Sequence, residues 1–94
     1  MKLQELFADK KNWTQGKRHG ASGTKKRIRF DVAEKAPLNY CHCLAGGLEI
    51  CYPDIRERMN VRSKIANKVY EPITLFNDYG SYEEVLAICI ELDI

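Results

Sequence analysis

The chain predicts a mainly helical α+β fold: three to four short helices around a central glycine-containing helix, with a small β-hairpin near the N-terminus. Three observations lead there. Apolar residues recur at helical spacing at the start of the chain and again from Tyr40 onward, while a single stretch, Lys26–Val32, alternates with period two. Ninety-four residues with 45% hydrophobic and 30% charged content suffice for one core and exclude a second domain, so residues 1–94 are expected to form a single small domain.

Leu3, Leu6, Phe7 and Lys10 fall at helical spacing and Trp13 closes the segment, which predicts a short amphipathic helix over residues 2–13. Between Thr14 and Thr24 lie Gly16, Gly20, Gly23 and Ser22 among basic residues, a composition that reads as a mobile basic loop at about 16–25. In Lys26–Val32, Ile28, Phe30 and Val32 share one side of a half-buried strand, and Trp13–Lys17 is expected to run back beside it as a weak hairpin. Pro37 ends the extended part, and Asn39 is the expected cap of a central helix from Tyr40 to about Tyr52. Gly46-Gly47 inside that helix costs about 1 kcal/mol per glycine relative to alanine. A second helix packed backbone-close against Ala45, Gly46 and Gly47 would compensate.

Pro53 suits the first turn of the next helical segment, with Asp54 and Glu57 near its positive end and Ile55 and Met59 as its apolar residues. Asn60 is read as a restart, followed by Val61, Ile65, Ala66, Val69 and Tyr70 at helical spacing until Glu71-Pro72 stops the run. Ile73, Leu75 and Phe76 should pin the connection to the core, and Asn77-Asp78-Tyr79-Gly80 reads as a turn. Ser81 and Glu84 form a capping box ahead of a last helix, Tyr82–Leu92, buried through Val85, Leu86, Ile88, Cys89 and Leu92.

Charge is distributed unevenly. Residues 10–35 carry a net +7 and residues 71–94 a net −6, although the whole chain is only +2. The two ends can neutralise each other within the fold, meet between copies, or each face a partner of opposite sign. Lys17, Arg18, Lys25, Lys26, Arg27 and Arg29 are the expected partner-binding residues, since a flexible basic loop attracts anionic surfaces without needing a fixed shape. Asn77, Asp78 and Glu83 are secondary candidates, with turn and cap formation as the competing explanation for them.

Cys41, His42, Cys43 and Cys51 are the cluster with metal-ligand residue types. Zinc requires four ligands converging on one point, which a single helix over 40–52 cannot supply. A metal would need a non-helical start at Cys41–Cys43 or help from Cys89. No metal and no cofactor are therefore expected, and buried thiols are the simpler reading. The basic loop lacks a phosphate-binding Gly-Lys-Ser/Thr pattern, and no nucleophile, base and orienting group occur together, so catalysis is not expected. No stretch is apolar enough to cross a bilayer, and Glu5 stands where a secretory signal would be apolar; a cytoplasmic location with reduced cysteines is the expectation.

Trp13-Thr14-Gln15-Gly16, then Cys43-Leu44-Ala45-Gly46-Gly47-Leu48, then Phe76-Asn77-Asp78 and Glu84-Val85-Leu86 follow an order that resembles an uncharacterised family of small bacterial and bacteriophage proteins. The pattern of that family runs Trp, Cys-Leu-x-Gly-Ala, Asn-Asp, Glu-Val-Leu. This chain departs from it with Gly47 in place of the alanine and Phe76 in place of a tryptophan. The resemblance implies a mostly helical fold and a bacterial or phage origin, and it implies no reaction. Together these features predict a small non-enzymatic adaptor or inhibitor docking on a protein, one concrete version being a phage product that blocks a host defence complex. The alternative is a nucleic-acid-binding protein that uses residues 17–29.

Overall fold

A computed structural model describes residues 1–16, 18–21 and 40–94. In chain order its elements are α1 (Leu3–Leu6), a 3₁₀ turn (Lys10–Asn12), β1 (His19–Ala21), β2 (Tyr40–His42), α2 (Leu44–Cys51), α3 (Ile55–Val69), α4 (Ile73–Tyr79) and α5 (Tyr82–Glu91). The mainly helical α+β architecture with a small hairpin is thus present. The expected strand over Lys26–Val32 lies outside the described residues.

Among the described residues the hairpin is formed by His19–Ala21 and Tyr40–His42. β1 pairs antiparallel with β2, placing His19 opposite His42, Gly20 opposite Cys41 and Ala21 opposite Tyr40. Trp13 instead forms a parallel bridge to His42, and the Thr14 amide donates to the His42 carbonyl at 3.0 Å. β1 also falls inside the stretch read as a mobile loop, with His19 buried. A three-residue ladder is weak alone, so burial of the two histidines and docking on α2 must hold it.

The central helix begins later than expected. Tyr40–His42 is a strand, Asn39 lies outside the described residues, and Cys43 is the N-cap, its Sγ accepting from the Gly46 amide at 3.4 Å. Backbone pairing with β1 competes successfully with helix formation over those three residues. α2 packs against α1, α3, α4 and β2, so it is the hub of the fold. Its glycine pair serves two neighbours rather than one helix. A Cβ on Gly47 would lie 2.6 Å from Cζ of Phe7, next to α1, and one on Gly46 would strike the carbonyl oxygen of Arg18. The close approach to Arg18 also lets that carbonyl accept from the Cys43 amide at 3.1 Å.

α1 is a single turn, because residues 10–12 tighten into the 3₁₀ turn with Asp9 accepting from the Lys11 amide at 3.0 Å. Leu3, Leu6 and Phe7 nonetheless reach the core as the spacing required. α3 is one uninterrupted helix, capped by Asp54 and ended by Tyr70 in a left-handed conformation (φ 58°), with no restart at Asn60. Its buried residues are Val61 and Ile65, whereas Ile55 and Met59 are 61% and 47% exposed. At about 100° per residue, Met59 projects some 160° from Val61, so both cannot face the core.

Asn77-Asp78-Tyr79 is the last turn of α4 rather than a free-standing turn, and Leu75 is largely exposed while Ile73 and Phe76 are buried. Ser81 caps α5 as the sequence requires, its Oγ accepting from the Glu84 amide at 3.1 Å, but Glu84 Oε1 meets the Ser81 hydroxyl at 3.2 Å instead of the Ser81 amide, so the expected capping box is reduced to its Ser81 half. Val85 and Cys89 are fully buried, with Leu86, Ile88 and Leu92 partly buried against the same core. Among the described residues no helix is long and apolar enough to cross a membrane.

Candidate functional site

Two polar clusters hang from α2, one at each end. The first centres on Asn77, which is 1% exposed. Its Oδ1 accepts from the Trp13 indole N–H at 2.7 Å and from the Leu44 amide at 3.0 Å. Its Nδ2 donates to the Thr14 carbonyl at 3.0 Å and to Asp78 Oδ1 at 3.2 Å. An amide side chain offers about four hydrogen-bonding positions, and all of them are used inside the fold. One of the groups satisfied is the orphan amide of the first residue of α2. Gln15 Nε2 donates to the carbonyls of Asn77 and Gly80, both at 2.9 Å, and Asp78 Oδ1 accepts from the Gly16 amide at 3.0 Å. The Trp13–Gly16 and Asn77-Asp78 motifs are therefore one structural unit, a relation that their sequence separation conceals.

The second cluster surrounds Glu49, near the end of α2. Glu49 Oε1 accepts from the Arg18 guanidinium at 2.6 Å, and its Oε2 lies 3.2 Å from His19 Nε2. His19 Nδ1 in turn lies 2.8 Å from Nδ1 of His42, with the rings edge to face. A carboxylate can only accept, so His19 donates from Nε2 to Glu49, and across the Nδ1–Nδ1 contact one imidazole donates and the other accepts. His42, His19 and Glu49 form a continuous row of contacts, and the two imidazoles are not both charged while the Nδ1–Nδ1 contact persists. His42 is fully buried; desolvation first, then the neighbouring His19, pull its pKa down to about 4. The chain holds Glu49 in place, and Glu49 holds Arg18 on the surface.

Beside Arg18 opens a concavity of about 190 Å³ between α2 and α3, edged by Arg18, Arg58 and Arg62 and floored by Leu48 and Met59. Arg58 and Arg62 are one helical turn apart, and both are half-buried. Among the described residues Arg58 donates only a long 3.5 Å contact to the Tyr52 carbonyl. Among the described residues neither Arg58 nor Arg62 has a carboxylate partner, and Glu49 is already engaged. Like charges at this spacing destabilise a helix by a few tenths of a kcal/mol, so the arrangement has a local cost.

Of the expected partner-binding residues, Arg18 stands at this concavity. Lys17, Lys25, Lys26, Arg27 and Arg29 lie outside the described residues. Asn77 and Asp78 belong to the first cluster, and Glu83 is exposed in the first turn of α5. Arg58 and Arg62 were not singled out from the sequence; a signal existed in the i, i+4 arginine pair within α3, where five cations stand against Glu57 alone.

The cysteines form no metal-ligand group among the described residues. Cys41 and Cys43 do start outside a helix, yet among the described residues no three His, Cys, Asp or Glu side chains are grouped to hold a metal ion. Burial pushes the Cys43 thiol up, that of Cys51 to about 11 and that of Cys89 to about 12, so none of these is a ready nucleophile at neutral pH.

Neither a family model, nor a curated protein, nor a solved structure matches this chain. The functional reading therefore follows from the chemistry of these residues.

Proposed function

We propose that this is a small non-enzymatic binding protein that docks on a protein partner as an adaptor or inhibitor. The observation that carries this reading is the outer face of α3. Ile55 and Met59, one turn apart, remain exposed beside Arg58 and Arg62 on a helix that contributes only two buried residues to the core. Apolar side chains interleaved with arginine are the composition of protein interfaces, where methionine and arginine are enriched. A phage product that blocks a host defence complex is the form of this reading that the sequence resemblance suggests.

A second reading, nucleic-acid binding, draws on a different observation: α3 carries Arg56, Arg58, Arg62, Lys64 and Lys68 against one carboxylate, for a net +4. Salt dependence separates the two. Phosphate contacts lose orders of magnitude in affinity between low and physiological salt through counterion release, whereas an interface with an apolar centre is much less affected. The test is affinity capture from the native host with nuclease treatment, followed by reconstitution of the recovered partner with the purified chain at both salt concentrations. A stoichiometric protein that rebinds without nucleic acid supports docking. Material that disappears with nuclease treatment counts against it.

A further inference from the structure

We propose that the concavity between α2 and α3, edged by Arg18, Arg58 and Arg62, is a docking groove for an acidic amphipathic helix of a partner protein. The proposal rests on the protein-docking reading and specifies its surface and the chemistry of the partner.

Charge complementarity sets the sign. Three guanidiniums meet at the groove, Glu49 is the only carboxylate along its edge among the described residues, and Glu49 already accepts from Arg18 and faces His19. Arg58 and Arg62 keep their charges close together on one face of α3, where each raises the cost of the other. Carboxylates brought by a partner relieve that repulsion and offer planar, two-oxygen acceptors suited to the guanidinium fork. Spacing sets the shape of the ligand. Two arginines one turn apart match two acidic residues one turn apart on a helix laid alongside α3.

Apolar contact selects protein over nucleic acid. Leu48 floors the groove, Met59 lines it at 47% exposure, and Ile55 continues the apolar strip one turn toward the start of α3. Methionine repacks readily around an incoming side chain. A phosphate backbone would use the same cations but would leave Ile55 and Met59 in water. The groove is also held from below, since the His42, His19 and Glu49 chain fixes Arg18 and Gly46 allows the Arg18 backbone to sit against α2.

The experiment uses the full chain and three fluorescent probes: an alanine- and leucine-based helical peptide with glutamates one turn apart, the same peptide with every Glu→Gln, and an oligothymidine. The protein variants are R58Q/R62Q, M59K and, as a control elsewhere on α3, K64Q, each shown by circular dichroism to be folded. The acidic peptide should bind at least about tenfold more tightly than the glutamine peptide, a difference of about 1.4 kcal/mol, and R58Q/R62Q should erase that difference while K64Q keeps it. M59K should weaken the peptide although it adds a cation; a purely ionic mode would be strengthened. Equal affinity for both peptides, or a double variant that binds as wild type does, overturns the groove while leaving protein docking elsewhere intact. Tight binding of oligothymidine alone, lost in R58Q/R62Q, overturns the docking reading itself. Concentration-dependent self-association abolished by R58Q/R62Q would overturn the separate partner and make a second copy the occupant.

Discussion

The two polar clusters on α2 teach opposite lessons about what polar residues are for. Around Asn77, every donor and acceptor of the side chain meets an internal partner, and the result joins α4 to the Trp13–Gly16 segment and to the start of α2. At the other end, Glu49 anchors one arginine while two more stand beside it without a carboxylate among the described residues. A saturated buried network defines architecture, because losing any member leaves others unsatisfied in low dielectric. An unbalanced, half-exposed group of like charges keeps its capacity for something outside the molecule.

The largest expected effect breaks the first cluster. Asn77→Ala leaves the Trp13 indole N–H, the Leu44 amide and the Thr14 carbonyl without their partner; at about 1 to 3 kcal/mol for a buried unsatisfied group, with the Trp13 and Thr14 groups only part-buried and so near the lower end, the loss should reach about 3 to 5 kcal/mol. Urea unfolding measures it; a loss below about 1 kcal/mol would mean water replaces the amide and the cluster is not structural.

Acid should act next, on the second cluster. Unfolded His42 takes up a proton near its ordinary pKa of about 6.5, whereas the folded residue stays neutral down to about 4. Because the unfolded state binds more protons in that window, stability falls as pH drops from about 6.5 to about 4 and levels off below it. The integrated loss is about 3 kcal/mol from this residue. Denaturant midpoints from pH 7.5 to pH 4 (roughly the window set by these pKa values) should show it, and His42→Asn, though less stable throughout, should flatten the profile. An unchanged slope in the variant would assign acid sensitivity to other groups.

Gly46→Ala sharpens the link between α2 and the groove. The added methyl meets a backbone carbonyl rather than a flexible side chain, so overpacking of about 1 to 3 kcal/mol should outweigh the gain in helix propensity of about 1 kcal/mol. A raised melting temperature would show that the Arg18 segment is not docked on α2.

The smallest effect carries the functional contrast. Arg58→Gln should stabilise the folded chain by about 0.2 to 0.5 kcal/mol at low salt by removing a like-charge pair, with the gain disappearing at high salt. Destabilisation by more than about 1 kcal/mol would place Arg58 among structural residues and weaken the comparison.

Local signals in this chain were legible without a fold. The Ser81 N-cap, the Glu71-Pro72 stop and the apolar spacing of Leu3, Leu6 and Phe7 each act within a few residues and appear in the structure where the sequence puts them. Apolar periodicity likewise implied a mainly helical architecture and a central glycine-containing helix. What only the tertiary structure decided involves partners far away along the chain. Tyr40–His42 has apolar and aromatic content that suits a helix start, but pairing with His19–Ala21 makes it a strand, and the cap moves to Cys43. Asn77 looks like a turn residue until Trp13, Thr14 and Leu44 converge on it from more than thirty positions away. Arg58 and Arg62 read as ordinary surface cations until the Arg18 segment, admitted by Gly46, closes the third side of their groove. Periodicity and capping are short-range physics, written in neighbouring residues. Saturation of a buried amide and crowding of like charge depend on which distant segments meet, and packing decides that.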